Sequence, residues 1–284
     1  MKITLARHFG MCFGVRDALR KTHELSLGGP VTVLGQLVHN PVVSAHLESL
    51  GVRSGALEDV AEATTRDVVI TAHGAADGQR AAWRNAGFRV TDTTCPLVRK
   101  AHAALQALIA ADFSPIVIGK KGHVEVRGLT GDFPQTVVIE TEEDIESLPY
   151  HHRIGVISQT TQPIKRVQYF VSQIQRRHPA SEVRFVDTVC QPTKDRQAAL
   201  EELCRESEVV IVVGGRNSNN TAELVAGAEK LGVRAYHVVG PGDVKAEWFG
   251  GVARVGVTAG TSTLEESVDQ VVRQVQELAA GQRT

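Results

Sequence analysis

The sequence predicts an α/β fold of three related units with parallel sheets, arranged about a pseudo-threefold axis. Apolar runs of about four to six residues, each ending in a polar or glycine-rich turn, alternate with segments of helical periodicity, as the strands and helices of parallel sheets do. The types of loop that follow these runs recur in the same order three times. The interval from a cysteine to the polar residue of the next loop is also nearly constant, at 27 residues in the first unit and 28 in the other two.

The first predicted unit spans residues 1–94 and begins with a strand that leads to Cys12 and a helix. The run VTVLGQLVHN then ends its strand shortly before His39, and the run DVVITAHG ends its strand shortly before His73. All three residues therefore stand where a predicted strand gives way to a loop or a helix.

The second predicted unit spans residues 95–189 and begins at Cys95, after the strand and turn VTDTT. The run PIVIGKKGHVEVRG places His123 and Glu125 just past its strand. The run RIGVISQTTQP places Thr160 in the next loop. The order of loops is that of the first unit.

The third predicted unit spans residues 190–284 and ends in a C-terminal helix. It begins at Cys190, where the approach RFVDTVC repeats the Asp-Thr-x-Cys pattern of VTDTTC. The run EVVIVVGGRNSNN carries Ser218 and Asn220 beyond its strand, and ARVGVTAGTS carries Ser262. The repeated pattern predicts that one structural joint is used more than once.

One cysteine from each unit is expected to contribute to a shared metal site. Ligands of parallel α/β units bind beyond the carboxyl ends of the strands, so three units facing one another would bring these thiols together. A thiol at a helix N-terminus favours the thiolate, which is the ligand form. Three thiolates leave one position open, either on a zinc ion or on an iron–sulfur cluster. The fourth cysteine, Cys204, lies on an apolar helix face and is assigned to the core.

The remaining loop residues predict a phosphate site. Helix N-termini and short hydrogen-bond donors bind phosphate, and the loops supply His39, His73, His123, Ser218, Asn220 and Ser262. Neither the phosphate-binding loop of nucleotide enzymes nor the spaced glycines of the dinucleotide fingerprint occurs, which disfavours a nucleotide cofactor. Glu125, beside His123, is a candidate proton donor if burial raises its pKa.

Each of these residues also has an ordinary structural interpretation when it is taken alone. A histidine past a strand is commonly a capping or core residue, and Ser218 or Asn220 could simply cap a helix. The functional interpretation depends on their shared position at one end of the fold. The other eight histidines lie in helices or connections and are assigned surface or structural roles: His8, His23, His46, His102, His151, His152, His178 and His237.

Charge and hydropathy disfavour several classes of function. The net charge is −1, and without a basic stripe neither a nucleic acid nor an anionic membrane is expected as a partner. No stretch approaches the roughly 18 apolar residues of a membrane span, and no signal peptide is apparent. A cytoplasmic location is predicted, where four cysteines would remain thiols.

Nine segments occur in a specific order along the chain: GMCFGV, LVHNPVV, AHG, DTTCPLV, GHVEVRG, SQTTQP, CQPTKDRQ, VVGGRNSNN and VTAGTS. Together they resemble the LytB family of 4-hydroxy-3-methylbut-2-enyl diphosphate reductases. The resemblance runs from Lys2 to about the last helix and therefore covers essentially the whole chain.

The resemblance implies three α/β units around a central [4Fe–4S] cluster, with Cys12, Cys95 and Cys190 as its ligands and one iron open to substrate. It further implies a proton relay made by Glu125 with Thr160. The residues implied to bind the diphosphate substrate are His39, His73, His123, Thr160, Ser218, Asn219, Asn220 and Ser262.

The activity implied is reductive dehydroxylation of 4-hydroxy-3-methylbut-2-enyl diphosphate to isopentenyl and dimethylallyl diphosphate. This is the last step of the methylerythritol phosphate route to isoprenoids, and ferredoxin or flavodoxin would supply the electrons. The chain departs from the usual family pattern beside some of these residues, at Val124, Arg127, Pro192 and Asn219. The alternatives are a divergent paralogue with another substrate, or a metal-containing protein that binds or senses a phosphorylated ligand.

Overall fold

The computed structural model describes residues 1–281, which contain three four-stranded parallel sheets. The predicted α/β class with three parallel sheets is confirmed. The chain divides into two compact units. The terminal unit comprises Met1–Arg16, Val38–His46 and the chain from Gln191, and the central unit comprises Asp17–Leu37 and Leu47–Cys190. The last residues of the predicted third unit, 282–284, lie outside the described part.

The terminal unit contains one sheet and the central unit contains two. The terminal sheet consists of β1 (Lys2–Leu5), β10 (Val209–Val213), β11 (Arg234–Val238) and β12 (Arg254–Ala259), in the order β1-β12-β10-β11. The first central sheet consists of β2 (Val31–Leu34), β3 (Arg53–Gly55), β4 (Asp67–Ile70) and β5 (Arg89–Asp92), in the order β3-β2-β4-β5. The second consists of β6 (Ser114–Ile118), β7 (Val137–Ile139), β8 (Arg153–Ser158) and β9 (Glu182–Phe185), in the order β7-β6-β8-β9.

The helices alternate with the strands along the chain, as the sequence periodicity predicts. Their bounds are α1 Phe13–Ser26, α2 Pro41–Ser49, α3 Asp77–Asn85, α4 Pro96–Ala110, α5 Val124–Thr130, α6 Glu142–Glu146, α7 Ile164–Arg177, α8 Gln191–Glu206, α9 Asn219–Lys230 and α10 Glu265–Gly281. Short 3₁₀ helices occupy Val60–Glu62, Pro241–Asp243 and Ala246–Phe249.

All three sheets share one topology. In each, the strand that leads to a cysteine lies at one edge, and the next three strands along the sheet have the same relative order. The strands in the two interior positions are the most buried, and every residue of β10 is inaccessible to solvent. The continuous run of Val and Ile in β10 is typical of a parallel strand buried on both faces.

The edge strands connect one repeat to the next. β1 precedes Cys12 but pairs with β12, with Lys2 opposite Arg254. In the same way β5 precedes Cys95 and closes the sheet of β2 to β4, and β9 precedes Cys190 and closes the sheet of β6 to β8. Each cysteine therefore follows an edge strand of a sheet. The division of the sequence at residues 94 and 189 stays a prediction.

None of the helices within residues 1–281 is both long enough and apolar enough to cross a bilayer.

Candidate active site

The same backbone hydrogen bond occurs at each of the three candidate ligand cysteines, and the segment around each such bond is called a cysteine joint below. The N–H of each cysteine donates to a carbonyl oxygen in the loop that follows the neighbouring strand of the same sheet. The three hydrogen bonds are Cys12 to Thr261 at 3.1 Å, Cys95 to Ala72 at 3.0 Å and Cys190 to Thr160 at 2.9 Å. A helix starts at the next residue in every case. The repeated position inferred from the sequence thus corresponds to a repeated geometry.

The Asp-Thr-x-Cys pattern is explained by two further contacts at the joints in the central unit. The aspartate carboxylate accepts the N–H of the residue before the cysteine, and the threonine hydroxyl donates to the last carbonyl of the neighbouring strand. At Cys95 these contacts are Asp92 with Thr94 at 2.9 Å and Thr93 with Ile70 at 2.6 Å, and at Cys190 they are Asp187 with Val189 at 3.1 Å and Thr188 with Ser158 at 2.6 Å. Both side chains therefore fix the backbone from which the cysteine projects.

The exposure of the thiols separates the three site cysteines from the fourth. Cys12, Cys95 and Cys190 are partly exposed and Cys204 is buried. Burial raises the pKa of Cys204 to about 11, and its side chain packs among Leu200, Leu203 and other apolar residues. The core assignment of Cys204 is confirmed, and this thiol is unsuited to bind a metal because thiolate is the ligand form.

In the central unit, Glu125 is a buried carboxyl group beside a cysteine joint. It is 2% exposed, and its Oε1 accepts the N–H of Thr160 at 2.6 Å. Burial raises its pKa to about 7, although hydrogen bonds from the backbone and side chain of Thr160 oppose the shift. The carbonyl of Thr160 accepts the Cys190 N–H. Thr160 therefore connects the carboxyl group to the backbone of a cysteine.

Two histidines lie side by side in the central unit. The ring centroids of His73 and His123 are 5.7 Å apart in an edge-to-face arrangement. His123 caps α5, and its Nδ1 accepts the N–H of Glu125 at 3.1 Å. In a neutral ring the other nitrogen, Nε2, then carries the proton and can donate. His123 is thus both a helix cap and a possible donor to an anion.

In the terminal unit, the loops after β10 and β12 are connected by amide side chains. Asn220 Oδ1 accepts the N–H of Thr261 at 3.0 Å, and Asn40 Nδ2 donates to the carbonyl of Ser262 at 2.8 Å. Asn40 was not predicted as a site residue, although it follows His39 directly and a buried asparagine commonly marks such a polar connection.

The same loops present donors that the protein itself does not use. Ser262 is 5% exposed and its Oγ has no hydrogen-bond partner in the described structure, and the buried Nδ2 of Asn219 also has none there. Ser218 caps α9, since its Oγ accepts the N–H of Thr221 at 3.3 Å. A hydroxyl that accepts in this way keeps its proton for another acceptor. The capping interpretation of Ser218 is therefore confirmed, and it is compatible with a ligand.

Gly215 lets the loop after β10 approach the backbone of His39 and Asn40 closely, next to these donors. A Cβ atom at this position would lie 2.1 Å from the carbonyl oxygen of His39 and 3.0 Å from the Cα of Asn40. Both distances are shorter than van der Waals contact, so only glycine lets the loop after β10 lie against the backbone of His39.

Three of the residues at which the chain departs from the usual family pattern lie on the helices α5 and α8. Arg127 is exposed on α5 and forms an ion pair with Glu58 at 2.9 Å. Val124 is the first residue of the same helix. Pro192 lies in the first turn of α8, where proline is tolerated, and its carbonyl accepts from Arg196 at 2.8 Å.

Comparison with known proteins gives consistent matches over the whole chain. The family model described as "LytB protein" matches residues 3–276. The "4-hydroxy-3-methylbut-2-enyl diphosphate reductase" of Aquifex aeolicus is 35% identical over 286 residues, which cover 99% of this chain and 98% of that protein. The protein of the same name from Pelobacter propionicus is 34% identical, covering 98% of this chain and 99% of its own length.

Two solved structures have the same fold. The E-1-hydroxy-2-methyl-but-2-enyl-4-diphosphate reductase of Plasmodium falciparum superposes with a TM-score of 0.89 at 27% identity, covering 95% of this chain and 86% of that one. A second structure, described as the terminal enzyme of the non-mevalonate pathway, has a TM-score of 0.69 at 35% identity and covers 98% of this chain and all of the other.

Proposed function

The chain belongs to the LytB protein family, and we propose that it is the enzyme that reduces 4-hydroxy-3-methylbut-2-enyl diphosphate to isopentenyl and dimethylallyl diphosphate. Relatives named for this reductase match it over nearly their whole length. The observation in the chain itself that carries the proposal is Glu125, a carboxyl group buried beside a cysteine joint with a pKa of about 7. A proton donor is what the loss of a hydroxyl group as water requires.

The donor set fits an iron–sulfur cluster. Three partly exposed thiols, each at the start of a helix and each held by the same backbone hydrogen bond, suit thiolate ligation. We propose that Cys12, Cys95 and Cys190 hold a [4Fe–4S] cluster, with one iron lacking a protein thiolate. When bound, such a cluster supplies electrons and a Lewis-acidic iron.

Glu125 is the proposed acid. With a pKa of about 7, the carboxyl group is substantially protonated near neutral pH, and Thr160 orients it through a hydrogen bond to Oε1. The reaction consumes two electrons and two protons, and it breaks one C–O bond and forms one C–H bond. One proton leaves with the hydroxyl oxygen as water. The other adds to one or the other end of the allylic carbon skeleton, which gives the two products.

The diphosphate of the substrate is the proposed ligand of the remaining loop residues. Ser262 Oγ and Asn219 Nδ2 are donors without a partner among residues 1–281, and Ser218 stands at the N-terminus of α9, where a helix favours an anion. His123 is a further proposed ligand of the diphosphate. The full proposed set is His39, His73, His123, Thr160, Ser218, Asn219, Asn220 and Ser262.

The chemistry also suggests a location and a partner. Thiolates that hold a cluster persist in a reducing compartment, so we place the reaction in the cytoplasm. The two electrons require a one-electron carrier of low potential, and ferredoxin or flavodoxin is the proposed donor.

The decisive experiment combines metal analysis with an activity assay. Protein purified without oxygen should contain about four iron and four sulfide per chain, as a cubane cluster does, and should convert the hydroxylated diphosphate when an artificial reductant is added. The Glu125→Ala variant should keep the iron and lose most turnover. Stoichiometric zinc without sulfide would instead indicate a metal-containing protein that binds a phosphorylated ligand. A full cluster with no conversion would indicate a paralogue with another substrate.

A further inference from the structure

A buried imidazole in the central unit faces two carboxylates that the proposed reaction does not use. His102 lies on α4, is 8% exposed, and its Nε2 has no hydrogen-bond partner within the described residues. This nitrogen is 3.9 Å from Oδ2 of Asp132. One ligand atom from each of Asp77, His102 and Asp132 lies within 4.8 Å of the other two.

The two carboxylates are held in place by other contacts. Asp132 accepts the backbone N–H groups of Asp77 at 2.5 Å and of Gly78 at 2.9 Å, so it is fixed at the N-terminus of α3. Asp77 Oδ1 accepts from Arg80 at 2.6 Å, whereas its Oδ2 accepts a longer hydrogen bond of 3.4 Å from Gln106. Each carboxylate therefore keeps acceptor capacity beyond these contacts.

The local charge favours a cation. The carboxylates of Asp77, Asp92 and Asp132 outnumber the two guanidinium groups, Arg80 and Arg99, that pair with Asp77 and Asp92. Burial lowers the pKa of His102, so at neutral pH the imidazole is uncharged and one negative charge is left over. A neutral imidazole with an available lone pair is the form in which histidine binds metals.

We propose that Asp77, His102 and Asp132 bind one divalent transition-metal ion through one nitrogen and two carboxylate oxygens. Imidazole and carboxylate ligands together suit ions such as Mn²⁺ and Zn²⁺. Ligand atoms bound at about 2.1 Å in a tetrahedron are about 3.4 Å apart, so the separations here, 3.9 Å for one pair and within 4.8 Å for the others, have to shorten by at most about 1.4 Å when the ion binds. Water would complete the coordination.

The ion would have a structural role, because it would link three elements of the central unit. Asp77 begins α3, which follows the loop of His73, and His102 lies on α4, which follows Cys95. Asp132 comes two residues after α5, which carries Glu125. One ion would therefore join three elements that position proposed active-site residues.

Binding of Mn²⁺ to the anaerobic, cluster-loaded protein tests this proposal. Mn²⁺ is the probe because thiolates prefer zinc and iron, so it does not compete for the cysteines. Electron paramagnetic resonance of the free ion gives the bound fraction. We expect one site in the wild type and at least a tenfold weaker affinity in His102→Ala. Asp77→Asn should show the same loss, and because the side chain of Asp77 is 60% exposed this change preserves the fold.

The matched control is His178→Ala. His178 is also buried, at 5% exposure, and in the described part of the chain its Nε2 also lacks a hydrogen-bond partner. The titratable side chains that act on it are Arg177 and His151, not carboxylates. This variant should bind Mn²⁺ like the wild type, and Mn²⁺ should raise the melting temperature of both. Absence of a site in the wild type, or equal binding by Asp77→Asn, would overturn the proposal.

Discussion

The backbone N–H of Thr160 donates a 2.6 Å hydrogen bond to Oε1 of Glu125. This contact holds the carboxyl group in a fixed orientation at a site where burial raises its pKa to about 7. Hydrogen bonds to a carboxylate favour ionisation, so the two effects oppose each other and leave the group near the midpoint of its titration at neutral pH. Such a group can give up a proton and regain it within one cycle.

Turnover should therefore fall as the pH rises through about 7, because Glu125 must carry its proton to act as an acid. We expect roughly a tenfold loss of single-turnover rate for each pH unit well above that value. The measurement is the rate of product formation by pre-reduced enzyme between pH 6 and 9. In Glu125→Gln the small residual rate should show no titration near pH 7, and a wild-type profile that stays flat up to pH 9 would contradict the assignment.

Glu125 should also make stability depend on pH. Its pKa in the folded protein, about 7, exceeds the ordinary value of 4.5, so the folded state binds the proton more tightly. The resulting stabilisation is complete below pH 4.5 and is lost as the pH rises through 7. Between pH 6 and pH 8 the loss is roughly 1.4 kcal/mol, or about 3–5 °C in Tm.

Melting curves at these two pH values, compared between the wild type and Glu125→Gln, test this linkage. The glutamine keeps an acceptor for the Thr160 N–H but cannot ionise. The gain in Tm of the variant relative to the wild type should therefore be larger at pH 8 than at pH 6. An equal difference at both pH values would show that the group does not titrate as proposed.

Replacement of one cysteine by serine should separate the three site cysteines from the fourth. Cys12→Ser, Cys95→Ser and Cys190→Ser should each lose most of their iron and sulfide, because a cluster with only two thiolate ligands is poorly held. Cys204→Ser should keep both, since that thiol is buried in the core. The measurement is iron and sulfide per chain with the visible absorption spectrum, and retention of a full cluster by Cys190→Ser would contradict the ligand assignment.

Thr188→Val should weaken the joint at Cys190. The Thr188 hydroxyl donates to the Ser158 carbonyl and accepts its N–H at 2.9 Å, and valine of similar shape does neither. Leaving buried backbone groups unpaired costs about 1–3 kcal/mol. We expect a lower Tm and faster loss of the cluster in air. Thr130→Val is the control, because the Thr130 hydroxyl donates to the Val126 carbonyl within its own helix, α5. An equal effect of the two changes would argue against a special role for the joint.

Gly215→Ala should weaken substrate binding. The added methyl group would meet the His39 carbonyl at 2.1 Å, so the loop that carries Ser218 must move away. We expect KM to rise more than tenfold for a binding loss of about 1.4 kcal/mol or more, with iron content unchanged. Gly240→Ala, where nothing lies within 4 Å of the added Cβ, should behave like the wild type. Steady-state kinetics of both variants give the comparison.

The sequence predicts most of the features that recur in the three sheets and few of the contacts that occur only once. Positions such as Cys95 and Cys190 could be found because one joint recurs with the same Asp-Thr approach and the same spacing. The pairing of β1 with β12 could not, since the strand at an edge is chosen by tertiary contacts that a local pattern does not contain.

Side-chain contacts that occur only once were also missed. Asn40 gives no periodic signal, and its bond to the Ser262 carbonyl joins residues far apart in sequence. His102 had been assigned a surface or structural role, and its burial could have been recognised, because it lies on the apolar stripe of α4 with Val98 and Leu105. The two carboxylates near it come from other elements, and no spacing rule connects them.

The pairing of β1 with β12 also dictates an order of events during synthesis. The strand that leads to Cys12 leaves the ribosome long before residues 254–259, the strand with which it pairs within the described residues. Cys12 therefore lacks this strand pairing until residue 259 has been made, whereas the strands beside Cys95 and Cys190 already exist when those residues emerge. Assembly of the proposed three-thiolate cluster then has to follow synthesis of residues 254–259, and a chain stalled before residue 254 should acquire no stable cluster.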